Sequence, residues 1–498
     1  MNGTLRVRLV GMLAATALCA GSATAWGQRT PEPVFVPGDA PYSPAAYPAH
    51  SMTEPSADSA ETLAGANIFA AGQPPADWQQ WKADVDARFR AIADKEAAAE
   101  KKAAGSPSVK AGGRIHADWA VFDQSPNNRA TYGDWGDRTE FRRARISLSG
   151  EAFYVIDYQI EMDFADTPTI PDIGTVTTGD AQSTSFKNVY VGISQLPWLG
   201  HVRVGHFKEP FGLEFLTSTN YITFMERSLC DENAIVPGRN MGLMAFNCSQ
   251  NERMTWAIGA FRSVMGSEPP IRSNQYEGGT AVTMRATFLP WYDEATEGRG
   301  LLHLGAAYSY RDLDEPTLRL RTRPEAHLAG TVLDTGSLPA TNWQIAGGEF
   351  ALVYGPLSVQ SEIFGAWVVS PVYGDLEFHG GYVYVSYFLT GENRAYKRTD
   401  GIFTRVKPFE NFFRVRDADG YVQMGKGAWE IAYRYSTLDF NDVIVGGEAH
   451  DHTLGLNWYL NPYTRVMFNY VNSNISPDQP NGSEGSVNIY ETRVQIEF

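Results

Sequence analysis

The sequence predicts an all-β chain, a 16-stranded antiparallel transmembrane β-barrel with a short N-terminal coiled-coil helix. Three observations carry that prediction. From Gly113 onward, apolar and polar residues alternate with period 2. The alternating segments run about ten residues, the length a tilted strand needs to cross a hydrocarbon layer. Tyr and Trp gather at segment ends, as an interfacial girdle requires, and the chain closes an alternating segment on Phe498. A soluble sandwich alternates too, so segment length and aromatic ends decide. The formal charge of -16 repels nucleic-acid phosphates, and 12% aromatic with only 20% charged residues excludes a disordered chain.

The elements follow in order. Arg6 and Arg8, the apolar run Leu9 to Ala20 and the small residues Ala23-Thr24-Ala25 read as a signal peptide over 1–25. Residues 26–75 hold nine of the 28 prolines without a period and read as a Pro/Ala-rich disordered linker. Over 76–104, Trp78, Trp81, Val85, Phe89 and Ile92 recur at helical spacing among charged residues. A helix of about four turns is marginal alone in water, so its apolar stripe calls for partner copies in a coiled coil. No later stretch is long and apolar enough for a membrane helix, which leaves strands as the spanning elements.

Over 113–498 the strands are expected near 113–123, 138–150, 156–165, 185–195, 201–212, 240–248, 254–263, 280–291, 301–311, 343–354, 357–368, 378–390, 428–438, 451–460, 463–473 and 486–498. Tyr158, Ile160, Met162 and Phe164 share one face, with Gln159, Glu161 and Asp163 on the other. Leu454, Leu456, Trp458 and Leu460 alternate likewise with Thr453, Gly455, Asn457 and Tyr459. Tyr490, Val494, Ile496 and Phe498 oppose Glu491, Arg493, Gln495 and Glu497. Gly355-Pro356 and Asn461-Pro462 mark tight turns at one end of the barrel; 264–279 and 473–485 mark long loops at the other.

Cys230 and Cys248 lie in an exported region, where a loop-stapling disulfide and two unpaired apolar fillers are both open readings. No CxxC or Cys/His cluster suggests a metal site. His303 and Ser309 share the polar face of one strand but stand about 20 Å apart along it, too far for a nucleophile and its base. An enzyme is not expected, nor is a cofactor.

Residues 141–150 (FRRARISLSG), 203–226 (RVGHFKEPFGLEFLTSTNYITFME), 387–407 (YFLTGENRAYKRTDGIFTRVK), 428–442 (AWEIAYRYSTLDFND) and 454–471 (LGLNWYLNPYTRVMFNYV) resemble the phosphate-selective porin O/P family, in the family's order over essentially all of 113–498. The resemblance implies a sixteen-stranded outer-membrane barrel of a Gram-negative-type cell, usually a homotrimer, with a constriction of inward-folded connections lined by Arg and Lys. It implies no catalytic step and no cofactor, and places the N-terminal helix in the periplasm. Small anions, phosphate or polyphosphate among them, would pass through; a general or sugar-permeable porin is the alternative on the same scaffold. Outer-membrane lipid surrounds such a barrel.

A narrow lumen in low-dielectric surroundings makes fixed charges act strongly on a permeating ion. Arginine suits phosphate because its planar fork bonds two oxygens and stays protonated. Arg143 and Arg145 share a face with Ser147 and Ser149 and are expected in the lumen, whereas Arg142 shares the apolar face of Ala144, Ile146 and Leu148. Arg203 and Lys208 lead into the third long loop and Arg239 closes it. Arg319, Arg321 and Arg323 alternate, so all three point one way if extended. The unusually long segment 391–427 carries Arg394, Lys397, Arg398, Arg405 and Lys407, and folding inward would use it. Against each stands the plainer reading that a lumen arginine pairs with a wall carboxylate such as Glu161, Asp163 or Glu430.

Overall fold

In the computed structural model the described residues are 106–165, 185–230, 234–263, 279–314, 316–416, 422–444, 446–477 and 484–498. The signal peptide, linker and helix expected over 1–104 lie outside them. Sixteen strands form one closed barrel. They are β1 Lys110–Gln124, β2 Arg138–Ala152, β3 Ile156–Asp163, β4 Ser185–Leu196, β5 Gly200–Lys208, β6 Arg239–Cys248, β7 Met254–Ser263 and β8 Gly279–Tyr292. The second half comprises β9 Gly300–Asp312, β10 Asn342–Tyr354, β11 Leu357–Ser370, β12 Gly374–Phe388, β13 Ala428–Asp439, β14 Glu448–Asn461, β15 Thr464–Ser476 and β16 Gly485–Glu497. Every neighbour is antiparallel, and β1 pairs with β16 to close the cylinder, with Asp118 opposite Arg493. Full closure removes the edges that an open sheet would expose.

The period-2 pattern sorts the side chains as the sequence requires. On β16, Tyr490, Val494 and Ile496 are exposed while Glu491, Arg493 and Gln495 are buried. On β9, Leu304 and Tyr310 face out, and His303, Ser309 and Arg311 face in. In a water-soluble protein this would be inverted; here the apolar face meets lipid and the polar face lines the lumen. One ring pair marks the turn-side rim, where Trp429 stacks on Trp458 at 4.9 Å.

Three connections leave the wall and fill part of the lumen. Residues 209–238 join β5 to β6, 313–341 join β9 to β10, and 389–427 join β12 to β13 from the opposite, turn side. The strand expected to reach 212 stops at Lys208, because Pro210 lacks a ladder donor and Gly212 turns at φ +76° into the one-turn helix Leu213–Leu216. The strand expected at 378–390 starts earlier, at Gly374, whose φ of +81° completes the three-residue turn from β11. An apolar core inside the barrel joins the first two connections to the wall: Phe211, Phe215, Leu229 and Ile235 with Leu318, Leu320 and Leu333, against Trp343, Phe378 and Phe440.

The pairing register shifts at five places among the described strands, and one shift redirects an arginine. His116 pairs with Arg143 but Ala117 pairs with Phe141, so Arg142 is the extra residue of a β-bulge. Phe141 takes the lipid-facing place, 65% exposed, and Arg142 turns inward instead of outward as its neighbours suggested.

Cys230 and Cys248 are not joined. The Cys230 thiol lies 3.6 Å from the Thr437 carbonyl, near the loop-side end of β13, whereas Cys248 ends β6 on the turn side. Of the two open readings, the disulfide is therefore the one to discard.

Candidate functional site

The inward loop 209–238 is held at its root and its tip by charge. At the root, Glu209 accepts from Arg311 at 2.8 Å, from Asn240 at 2.7 Å and from Thr283. The backbone N–H groups of Leu213 and Glu214 donate to Glu362 at 2.6 and 2.8 Å. At the tip, Glu226 accepts from Arg142 in a two-pronged pair and from Arg493 at 2.6 Å, with Arg143 at 3.7 Å. Burial alone would raise the Glu226 carboxyl, but Arg142, Arg143 and Arg493 outweigh it and hold it well below the carboxylate range. The second inward connection is tied by Glu325, which takes Arg434 at 2.6 Å together with Ser436 and Thr453.

The third segment fills the turn-side half. Arg394 is buried, with its guanidinium 3.5 Å above the Phe403 ring, and donates to Gln360 at 2.8 Å. Tyr396 bonds His303 at 2.7 Å, and the Gly401 carbonyl accepts from Arg285 at 2.9 Å. Arg405 pairs with Glu497 at 2.8 Å.

What these fillings leave is a cavity of about 310 Å³ against β1 to β8. Six basic side chains line it: Arg114, Arg145, Arg203, Lys208, Arg239 and Arg285. Among the described residues, Glu161 and Asp400 bring carboxylates to the same lining. Arg145 donates to Asp163 at 2.7 Å, Arg285 to Glu349 at 2.8 and 2.7 Å, and Arg203 to Asp157 at 3.4 Å. Counted together with Glu161 and Asp400, those three acids leave the six cations only a small positive excess around the cavity. Arg114 reaches Glu161 at 3.0 Å and Thr219 of the inward loop at 3.1 Å. Lys208 donates to the carbonyls of Phe215, Leu216 (3.3 Å) and Thr217 (3.4 Å), pinning the one-turn helix beside the cavity.

Arg145, Arg203, Lys208 and Arg239 are thus brought together. The other expected residues are elsewhere. Arg143 lies with Glu226 behind the loop. Arg319 is exposed and clamps Asp334 at 2.8 and 3.0 Å; Arg321 sits in the same outer hairpins, and Arg323 donates to the His327 carbonyl at 2.5 Å. Leu318 and Leu320, on either side of Arg319, are buried in the inner core, which turns Arg319 to the opposite, exposed face. Lys397 pairs with Asp400 at 2.8 Å, Arg398 with Glu252 at 2.7 Å and Glu294 at 2.9 Å, and Lys407 is exposed. Sequence reasoning missed Arg114 and Arg285. Both carried a period-2 signal in the sequence: Arg285 alternates with Thr283 and Thr287 on the inward face of β8, and Arg114 shares the polar face of His116 and Asp118 against Ile115 and Trp119 on β1.

A closed membrane-spanning cylinder with a charged, constricted lumen defines an outer-membrane channel protein. The chain belongs to the family described as phosphate-selective porin O and P, whose model matches residues 109–498. It is a porin and not an enzyme. It is 27% identical over 422 residues to Porin O of Pseudomonas aeruginosa, covering 78% of this chain and 88% of that one. A Caulobacter vibrioides protein is 28% identical over 414 residues, covering 79% and 75%. Among solved structures, an anion-selective porin from Comamonas acidovorans superposes with a TM-score of 0.47 at 12% identity, covering 79% of this chain and 100% of that one.

Proposed function

We propose that this porin passively admits small anions, phosphate or polyphosphate among them, and that the cavity lined by Arg114, Arg145, Arg203, Lys208, Arg239 and Arg285 is the selective part of the path. The observation that carries the reading is that six cations reach the lining and two carboxylates do. The acidity of the whole chain does not oppose it. Charges more than about 8 Å away through salt solution are screened, and even with Asp163, Asp157 and Glu349 set against their arginines the six cations outnumber the five nearby acids. Guanidinium donors replace part of the water an anion sheds on entry, and several moderate sites in series let it leave again. The turn side, which includes 389–427, would face the periplasm, and three chains would assemble through the barrel wall and the helix 76–104.

Reversal potential across a planar bilayer in a salt gradient tests this. Anion preference, with chloride current blocked by added phosphate, is expected; cation preference overturns it. Equal passage of neutral sugars and anions in liposome swelling would favour the general porin instead.

A further inference from the structure

The cavity is not uniformly charged. On β4 to β6 its lining includes the apolar side chains Tyr190, Phe207, Met244 and Phe246 beside Asn188 and Asn247, while Arg114, Arg145 and Arg239 stand on β1, β2 and the loop end of β6. Between the two kinds of wall sits Arg203, its guanidinium 3.8 Å from the Tyr190 ring centre and 5.1 Å from that of Phe246. His201 stacks on the other side of this cluster, 4.4 Å from Phe246 and 2.6 Å from Asp157, so the aromatic shelf is braced from behind.

Resting on the anion-channel reading, we infer that this cavity is a binding site for organic anions with an aromatic body, aryl phosphates or aryl carboxylates, in preference to bare inorganic phosphate. Three features lead there. First, a volume of about 310 Å³ stands at the lower end of small-molecule pockets, which span roughly 300–1,000 Å³. A lone tetrahedral oxyanion would leave water lying against the rings of Tyr190 and Phe246. Second, the arginines do not converge as a tight cradle. Arg145 aims at Asp163, Arg285 at Glu349 and Arg203 at Asp157, so they supply a diffuse positive field more than a multidentate clamp. Such a field suits an anionic head of low charge. Third, a flat ring can lie along the Tyr190–Arg203–Phe246 shelf, gaining stacking contact and burying apolar area together.

The experiment compares block of chloride current by phenyl phosphate, methyl phosphate and inorganic phosphate, using the full mature chain in planar bilayers. Phenyl phosphate should half-block at a concentration roughly three- to tenfold below methyl phosphate, the ratio one aromatic stack supplies. Tyr190→Leu and Phe246→Leu should narrow that gap, and Phe246→Tyr should restore it. Equal block by phenyl and methyl phosphate in the unmodified protein overturns the inference, and so does a gap that survives both leucine variants. Reversal potentials from the same membranes keep the two levels apart. Anion preference without a phenyl advantage removes only the aromatic inference, whereas loss of anion preference removes the reading beneath it.

Discussion

Arg142 and Glu226 meet inside the barrel as a two-pronged pair, Nε to Oε1 at 3.0 Å and Nη2 to Oε2 at 3.1 Å, although strand alternation alone would aim Arg142 at lipid. The bulge at His116/Ala117 makes the meeting possible, and it supplies one of the cations that hold the tip of the inward loop.

Replacing Arg142 with Met leaves Glu226 with Arg493 and a more distant Arg143. The loss should be about 1–3 kcal/mol, the usual worth of a charge-assisted bond in a buried site, seen as a lower thermal midpoint in detergent and a noisier single-channel current. An unchanged midpoint would show that the loop tip is secured without Arg142.

Acid should loosen the same region. Burial, with Arg142 close by, depresses His327 from 6.5 to about 4 against the pull of its 2.7 Å bond to Glu140. The unfolded chain therefore takes up this proton first. The stability involved is complete above about pH 6.5 and is lost as pH falls toward 4. Glu226, also depressed, adds a loss of the same sign once pH falls below the unfolded carboxylate value of 4.5. Thermal midpoints should fall between pH 7 and 4, and His327→Gln should flatten the upper part of that fall. A profile identical in the variant would exclude His327.

Charge removal should separate the basic residues by position. Arg114→Gln with Arg203→Gln should lower anion over cation preference several-fold, since both line the cavity and keep about a fifth of their side-chain surface exposed, 19% and 21%. Arg321→Gln with Arg319→Gln, on the outer hairpins, should change it little. The reverse ranking would move the selective part of the path to the loop side.

Gly401 is a sensitive point for conductance. A β-carbon there would stand 2.8 Å from Thr287 Oγ1 and 3.0 Å from Thr255 Oγ1, and φ is +65°. Gly401→Val should displace the segment from the wall, weaken the Arg285 bond to its carbonyl and raise single-channel conductance. Conductance equal to that of the unmodified protein would mean the segment lies off the conducting path.

The helix expected at 76–104 should support assembly. Burying Trp78, Trp81 and Ile92 against sister copies is worth several kcal/mol at about 25 cal/mol per Å². Deleting 76–104 should weaken heat-resistant oligomers on gels; oligomers of undiminished resistance would assign assembly to the barrel wall alone.

Much of the fold was legible because a lipid-facing strand writes its two faces into every second residue. The segment read as 357–368 is Leu357–Ser370, and that read as 451–460 is Glu448–Asn461. The site was legible where a strand carried it, as at Arg145 and Arg203. It was illegible where the determinant is two-against-one pairing, as at Arg142, or tertiary docking, as for Arg319 and Arg394. Extended spacing says which residues share a face, but not whether that face meets solvent, a carboxylate or a ring.

The joint between Arg493 and Asp118 spans 375 residues of chain and shares its guanidinium with the Met225 carbonyl and Glu226 of the inward loop. One partner is on the first strand, one on the last, and the loop needs both. While the cylinder is still an open sheet, that guanidinium has no Asp118 opposite it and the loop tip has no complete seat. The seat of the loop tip is thus a property of the closed cylinder, assembled where the final strand meets the first.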